Sequence, residues 1–345
     1  MPNTNTFPTL RRKKLALVGY GNQGRAHALN LRDQGVPFTL CLRAEGASWK
    51  RAQADGFCPH PLGSSATHGN VFFLLVSDEQ IPAVWDTLHA QEGGASAFLT
   101  SQPWFGFAHG YALHFQTVPR SPQAGYFLCS PRAPGYRVRQ SFLEQKGFAV
   151  ALASEGAWGD ELNSYATEYA EAIGACDIVK TTFQAETESN LFAEQTVLCG
   201  VLPRLLTLAH AVAVEKGLDP TLASYDCIHQ VRYLLELFET RSLHDFYSAV
   251  SPTAAYGGLT RGKRLLPDAC TQEMRRILEE IRSGTFAQEL VQNGDTRTRH
   301  NLVSELAKQE PNGRNPRFPH SEAKRGNGRH GGENGDTTVE KNTCV

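Results

Sequence analysis

The chain has almost no net charge: 34 Lys and Arg face 35 Asp and Glu across 345 residues, a formal balance of -1. So even a balance gives no drive toward nucleic acid or an anionic membrane surface. Long apolar runs are also missing. The longest, such as Val71 to Val76, are far too short to cross a bilayer, and Met1 to Leu10 lacks the apolar core of a signal peptide. The expected location is the cytoplasm, with no membrane and no nucleic acid as partner. Eight cysteines are scattered without a CxxC or a His/Cys group at zinc spacing. Most of them are therefore expected to be small buried residues rather than disulfides or metal ligands.

What is present is a length and an apolar fraction, 41%, that suit one or two globular domains. The first half alternates short apolar runs with helical stretches. Strands are expected at Lys14 to Gly19, Phe38 to Leu42, Val71 to Val76, Ala97 to Thr100, Gly125 to Cys129 and Phe148 to Leu152. Helices such as Arg25 to Gln34 and Gln80 to Ala90 lie between them. That alternation predicts an α/β domain of Rossmann type, a doubly wound parallel sheet covered on both faces. From Asp160 onward the pattern is helical: Asp160 to Ile173, Glu186 to Lys216, Pro220 to Glu239 and Thr271 to Arg282. The expected division is an extension over 1–13, a dinucleotide-binding domain over 14–158, an all-helical domain over 159–310 and a disordered Gly- and Asn-rich tail over 311–345.

The segment KKLALVGYGNQGRAHALNL sets Gly19, Gly21 and Gly24 between the first strand and the first long helix, with Asn22 and Gln23 inside the loop. Each glycine of this G-x-G-x-x-G has a reason: a tight turn, close approach to a pyrophosphate, and helix–strand packing. The helix N-terminus adds free N–H groups and a positive dipole. At the end of the second strand, Arg43 and Ser48 suit a 2'-phosphate, whereas Glu45 would repel it and suit a free ribose diol. These cues conflict; Arg43 favours NADPH, with NADH open.

Several blocks in one order, GYGNQGRAHALNLRDQGV, FAHGYALHF, PRAPGYRVR, TTFQAETESNLFAEQTVLCGVL, YDCIHQ and SPTAAYG, resemble ketol-acid reductoisomerase of the shorter class, from about Lys14 to about Leu290. The resemblance implies a Rossmann domain followed by a knotted helical domain, in a homodimer whose helical domains intertwine. It implies a two-stage reaction, alkyl migration assisted by two Mg2+ ions and then reduction of the 2-keto acid by a nicotinamide. It assigns His109 and Arg132 to catalysis, Gly135 to the cofactor and Ser251 to the substrate carboxylate.

The same resemblance implies four metal-binding carboxylates in two i, i+4 pairs, which share one helical face. Here the pairs read Asn190 with Glu194, and Asp226 with Gln230. Two charges are gone and Asp226 is a methylene shorter than the Glu expected there. Arg132 likewise stands where the resemblance implies Lys, and a guanidinium does not readily give up a proton. Glu194 and Asp226 together suit at most one Mg2+, with Glu194 also a catalytic candidate; Asn190 and Gln230 become substrate contacts. Glu186 and Glu188 read as a solvated helix start. Three functions follow: an NAD(P)H-dependent reductase of a small keto acid or imine that has lost the isomerase step, a genuine reductoisomerase acting on 2-acetolactate, or a non-catalytic cofactor-binding paralogue.

Overall fold

A computed structural model describes residues 6–67, 69–90, 102–156, 158–294 and 296–309. The tail expected to be disordered and the strand expected at Ala97 to Thr100 lie outside these residues. The chain divides into two compact units between Ser189 and Asn190.

The first unit is built on an eight-stranded sheet of order β3-β2-β1-β4-β5-β6-β7-β8. In chain order the strands are β1 Leu15–Val18, β2 Thr39–Leu42, β3 His60–Pro61, β4 Val71–Leu74, β5 Trp104–Phe107, β6 Gly125–Pro131, β7 Ala149–Glu155 and β8 Asp177–Lys180. All neighbours are parallel except β6 and β7. Strands β1, β4 and β5 are buried at every position, which a sheet covered on both faces requires. One face packs Leu15, Leu17, Phe73 and Phe127 against Tyr165 and Tyr169 of the helix Gly159–Ala172; the other packs Phe72, Phe105 and Tyr126 against Trp85. Order reverses between β1 and β4, so a crevice opens beyond their carboxyl ends.

Two expectations change here. The helix Gly159–Ala172 and strand β8 belong to the first unit, so the expected change of domain at 158/159 falls inside it. Strand β8 escaped notice because it is a short, largely exposed edge with no apolar alternation. Among the described residues the cysteine expectation holds for Cys41 and Cys129, which sit in strands; Cys176 and Cys199 are exposed, Cys227 and Cys270 half-buried, and Cys58 is exposed and disulfide-bonded, against the expectation. Burial pushes the Cys41 thiol up to about 12, a value at which it is inert near neutrality.

The second unit is helical. It leaves large apolar side chains in the open, among them Leu198, Leu208, Leu235 and Leu265. The helical run Phe183–Glu215 is, by length and composition alone, apolar enough to span a bilayer. Counting uninterrupted apolar runs misses it, because single polar residues break the sequence while the average over the helix stays high.

Candidate active site

The crevice between β1 and β4 holds a cavity of about 760 Å³ lined by Gly19 to Gln23, Arg43, Ser48, Asp78 and His109 among others. The glycines differ in what forces them. Gly19 has φ +111, and a Cβ there would lie 2.5 Å from Leu75 O; a Cβ on Gly24 would lie 2.5 Å from Gly19 O. Both are required by protein packing against protein. Around Gly21 the nearest atom to such a Cβ is Leu75 O at 3.9 Å, so the open space there faces the cavity and suits a phosphate. Gln23 donates to Ala133 O at 2.8 Å, while its Oε1 is buried with no hydrogen-bond partner. Gly135 lies so close to the Asn22 backbone that any side chain would collide with it. This loop, with the N-terminus of the helix Asn22–Asp33, fits a dinucleotide pyrophosphate.

Tyr20, between the first two glycines, borders the cavity and packs into the core. Its hydroxyl donates to Asp55 Oδ2 at 2.8 Å and its ring meets Phe57 edge-on. Hydrogen bonds from Arg25 hold the Asp55 carboxyl down to about 2. Burial, with Asp55 added, pushes the Tyr20 phenol well up. The loop is therefore tied to the core by a charged anchor that sequence spacing gives no reason to connect.

Arg43 and Ser48 line the cavity; Glu45 does not, and takes a left-handed φ of 60. The conflict between these cues is thereby eased toward NADPH. Arg43→Ala is expected to weaken NADPH binding by about 10- to 100-fold, the worth of a charge-assisted hydrogen bond, and to leave NADH binding within about threefold. Titration of reduced-nicotinamide fluorescence checks both arms.

Beyond the sheet's carboxyl edge, His109 Nδ1 lies 2.8 Å from Asp78 Oδ2. Glu186 binds this region together: it accepts from Gly110 N at 2.8 Å and from Ser130 Oγ at 2.8 Å, and pairs with Arg132 Nη2 at 2.5 Å. Its side chain is 0% exposed. Glu186 and Glu188 are buried, which corrects the expectation of a solvated helix start. Asp78 was also unmarked in the sequence. Its only sequence cue is its place just past β4, where open α/β sheets put ligands.

Asn190, Glu194, Asp226, Gln230 and Ser251 belong to the second unit. Asn190 Nδ2 donates to Glu194 Oε1 at 3.3 Å, and Gln230 Nε2 to Asp226 Oδ1 at 2.7 Å. Both pairs sit at π-helical turns, Glu194–Leu198 and Tyr225–His229, which recur at functional sites. Among the described residues, no three His, Cys, Asp or Glu side chains are grouped to hold a metal ion. Ser251 caps the helix Pro252–Leu265, accepting from Ala254 N at 3.2 Å.

The model of the acetohydroxy acid isomeroreductase NADPH-binding domain matches residues 9–178, and that of the ketol-acid reductoisomerase C-terminal domain matches 183–315. The chain belongs to the ketol-acid reductoisomerase family. A ketol-acid reductoisomerase (NADP(+)) of Pyrobaculum calidifontis is 34% identical over 307 residues, 88% of this chain and 91% of its own length. An NADH-preferring ketol-acid reductoisomerase from an uncultured archaeon superposes with a TM-score of 0.77 at 27% identity, covering 94% of this chain and 97% of that one. A 1-pyrroline-5-carboxylate reductase of Streptococcus pyogenes, at 14% identity and TM-score 0.54 over 79% of this chain and 98% of its own, shares the fold. The protein is an NAD(P)H-dependent oxidoreductase of this family, and the cavity lies in its NADPH-binding domain.

Proposed function

We propose that this chain reduces a small keto acid or imine with NADPH and has lost the two-metal alkyl migration. The observation that carries this reading is the pair of amide–carboxylate hydrogen bonds, Asn190 to Glu194 and Gln230 to Asp226. Two dications need several anionic oxygens to offset their mutual repulsion. These two pairs offer two carboxylates, each already accepting from an amide, so the donor set does not fit a two-Mg2+ centre.

Residues that could serve reduction support this reading. Gly21, Asn22 and Gln23, which line the cavity, would hold the pyrophosphate, and Arg43 with Ser48 the 2'-phosphate. NADPH supplies a hydride when bound. Arg132, whose charge is anchored on Glu186, has a further donor for a substrate carboxylate. His109 supplies the proton to the reduced oxygen or nitrogen. Hydride transfer needs this orientation and proton donor more than it needs a metal. The exposed apolar residues Leu198, Leu205, Leu234 and Phe238 support a homodimer in which a second copy covers the helical unit.

A second reading is supported by the Pyrobaculum calidifontis relative: ordinary reductoisomerase activity on 2-acetolactate. The two part on metal. NADPH oxidation by a panel of 2-oxo acids and cyclic imines is expected to persist in excess EDTA, with no turnover of 2-acetolactate whether or not Mg2+ is added. Loss of all turnover in EDTA, or Mg2+-dependent conversion of 2-acetolactate, rejects the metal-free reading.

A further inference from the structure

Strands β4 and β5 pair in parallel and leave the sheet at the same edge. Asp78 opens the short turn Asp78–Gln80 beyond β4, and His109 lies just beyond the end of β5. Their 2.8 Å contact at Nδ1 is therefore a product of sheet register, and both side chains line the cavity with the glycine loop. A carboxylate can only accept at that distance, so Nδ1 carries a proton and the ring exchanges its other proton at Nε2.

We infer that Asp78 is a positioning residue for the reduction: it fixes the ring orientation and the Nδ1–H form of His109, so that the imidazolium delivers its Nε2 proton to the substrate. The inference rests on the proton-donor role proposed above for His109. In the step, the carbonyl or imine carbon accepts the hydride that a bound reduced dinucleotide would supply, and the loss of that hydride would leave the dinucleotide oxidised. The π pair moves onto oxygen or nitrogen, which takes the Nε2 proton; a neutral ring with Nδ1–H on Asp78 is left and is reprotonated from solvent. Aligning and stabilising an imidazolium in this way is how a hydrogen-bonded carboxylate makes histidine an effective acid.

Other titratable groups among the described residues lie near the ring. Glu79 lines the cavity beside Asp78. Tyr111, two residues on, has its ring centroid 6.0 Å from that of His109, and its buried phenol is raised by burial and by Asp78. Glu186, on the helix Phe183–Ala193, reaches Gly110 N but is neutralised by Arg132.

The test uses the full chain loaded with NADP+ and labelled with ¹⁵N-histidine, following His109 by long-range ¹H–¹⁵N spectra across pH, with His109→Gln giving the assignment. In Asp78→Asn the protonation midpoint of His109 is expected to fall by about one to two pH units, because the anion that favoured the imidazolium is gone. The neutral ring is expected to lose its preference for Nδ1–H. With 3-hydroxypyruvate, a 2-oxo acid without an alkyl group to migrate, the variant should lose about 10- to 100-fold in kcat with NADPH affinity within about threefold. An unchanged midpoint and tautomer overturns the inference. So does normal turnover by Asp78→Asn where His109→Gln is impaired, whereas normal turnover by His109→Gln removes the proton-donor reading itself.

Discussion

Glu186→Ala is expected to cost about 3–5 kcal/mol of stability, a large share of what a folded domain has to spare. The carboxylate is fully buried and closes three contacts at once, with Gly110 N, Ser130 Oγ and Arg132. Its removal strands two buried donors and leaves a half-buried guanidinium without its counter-charge. Solvent reaches Arg132, 33% exposed, and relieves part of that last loss. Glu186→Gln keeps an acceptor and should cost about 1–2 kcal/mol. Urea unfolding of the two variants checks the order and the gap; equal stability of wild type and Glu186→Ala would show that the network carries no net energy.

Restoring the carboxylates is the second large effect. The variant Asn190→Asp, Asp226→Glu, Gln230→Glu is expected to raise Mg2+ affinity at least about a hundredfold, or about 2.7 kcal/mol. It exchanges two neutral amides for two anions at positions that already share helical faces. Adding Arg132→Lys should then bring back turnover of 2-acetolactate. Calorimetric titration with Mg2+ reads the first claim. Affinity equal to that of the native chain would mean that the amides are not what keeps metal away.

Much of the cofactor half was legible. Gly19, Gly21 and Gly24 follow a buried strand in a spacing whose reasons are steric, and steric reasons survive in a string of letters. Arg43 and Glu45 were legible as a conflict only, since the sequence cannot say which side chain turns to the cavity. Glu186 and Asp78 were not legible. Glu186 stands in the first turn of a helix, where an acidic residue is ordinarily a solvated partner of the dipole. Only the approach of Gly110 and Ser130, 76 and 56 residues away along the chain, makes it buried. Asp78 meets His109 because two parallel strands end side by side, and pairing at that separation leaves no local trace. The edge strand β8 was missed for a different reason: pattern reading detects burial, and this strand has little.

The two π-helical turns have a further consequence. A π turn spends one residue more than an α turn, and each residue on a helix advances the side chain by about 100°. At Glu194–Leu198 the inserted residue thus acts as a phase shift: Asn190 and Glu194 keep one azimuth, while Leu205, Leu208 and Val212 beyond it are rotated onto another. One helix can in this way serve two masters, a polar cluster and an apolar surface, without either compromising the angle of the other.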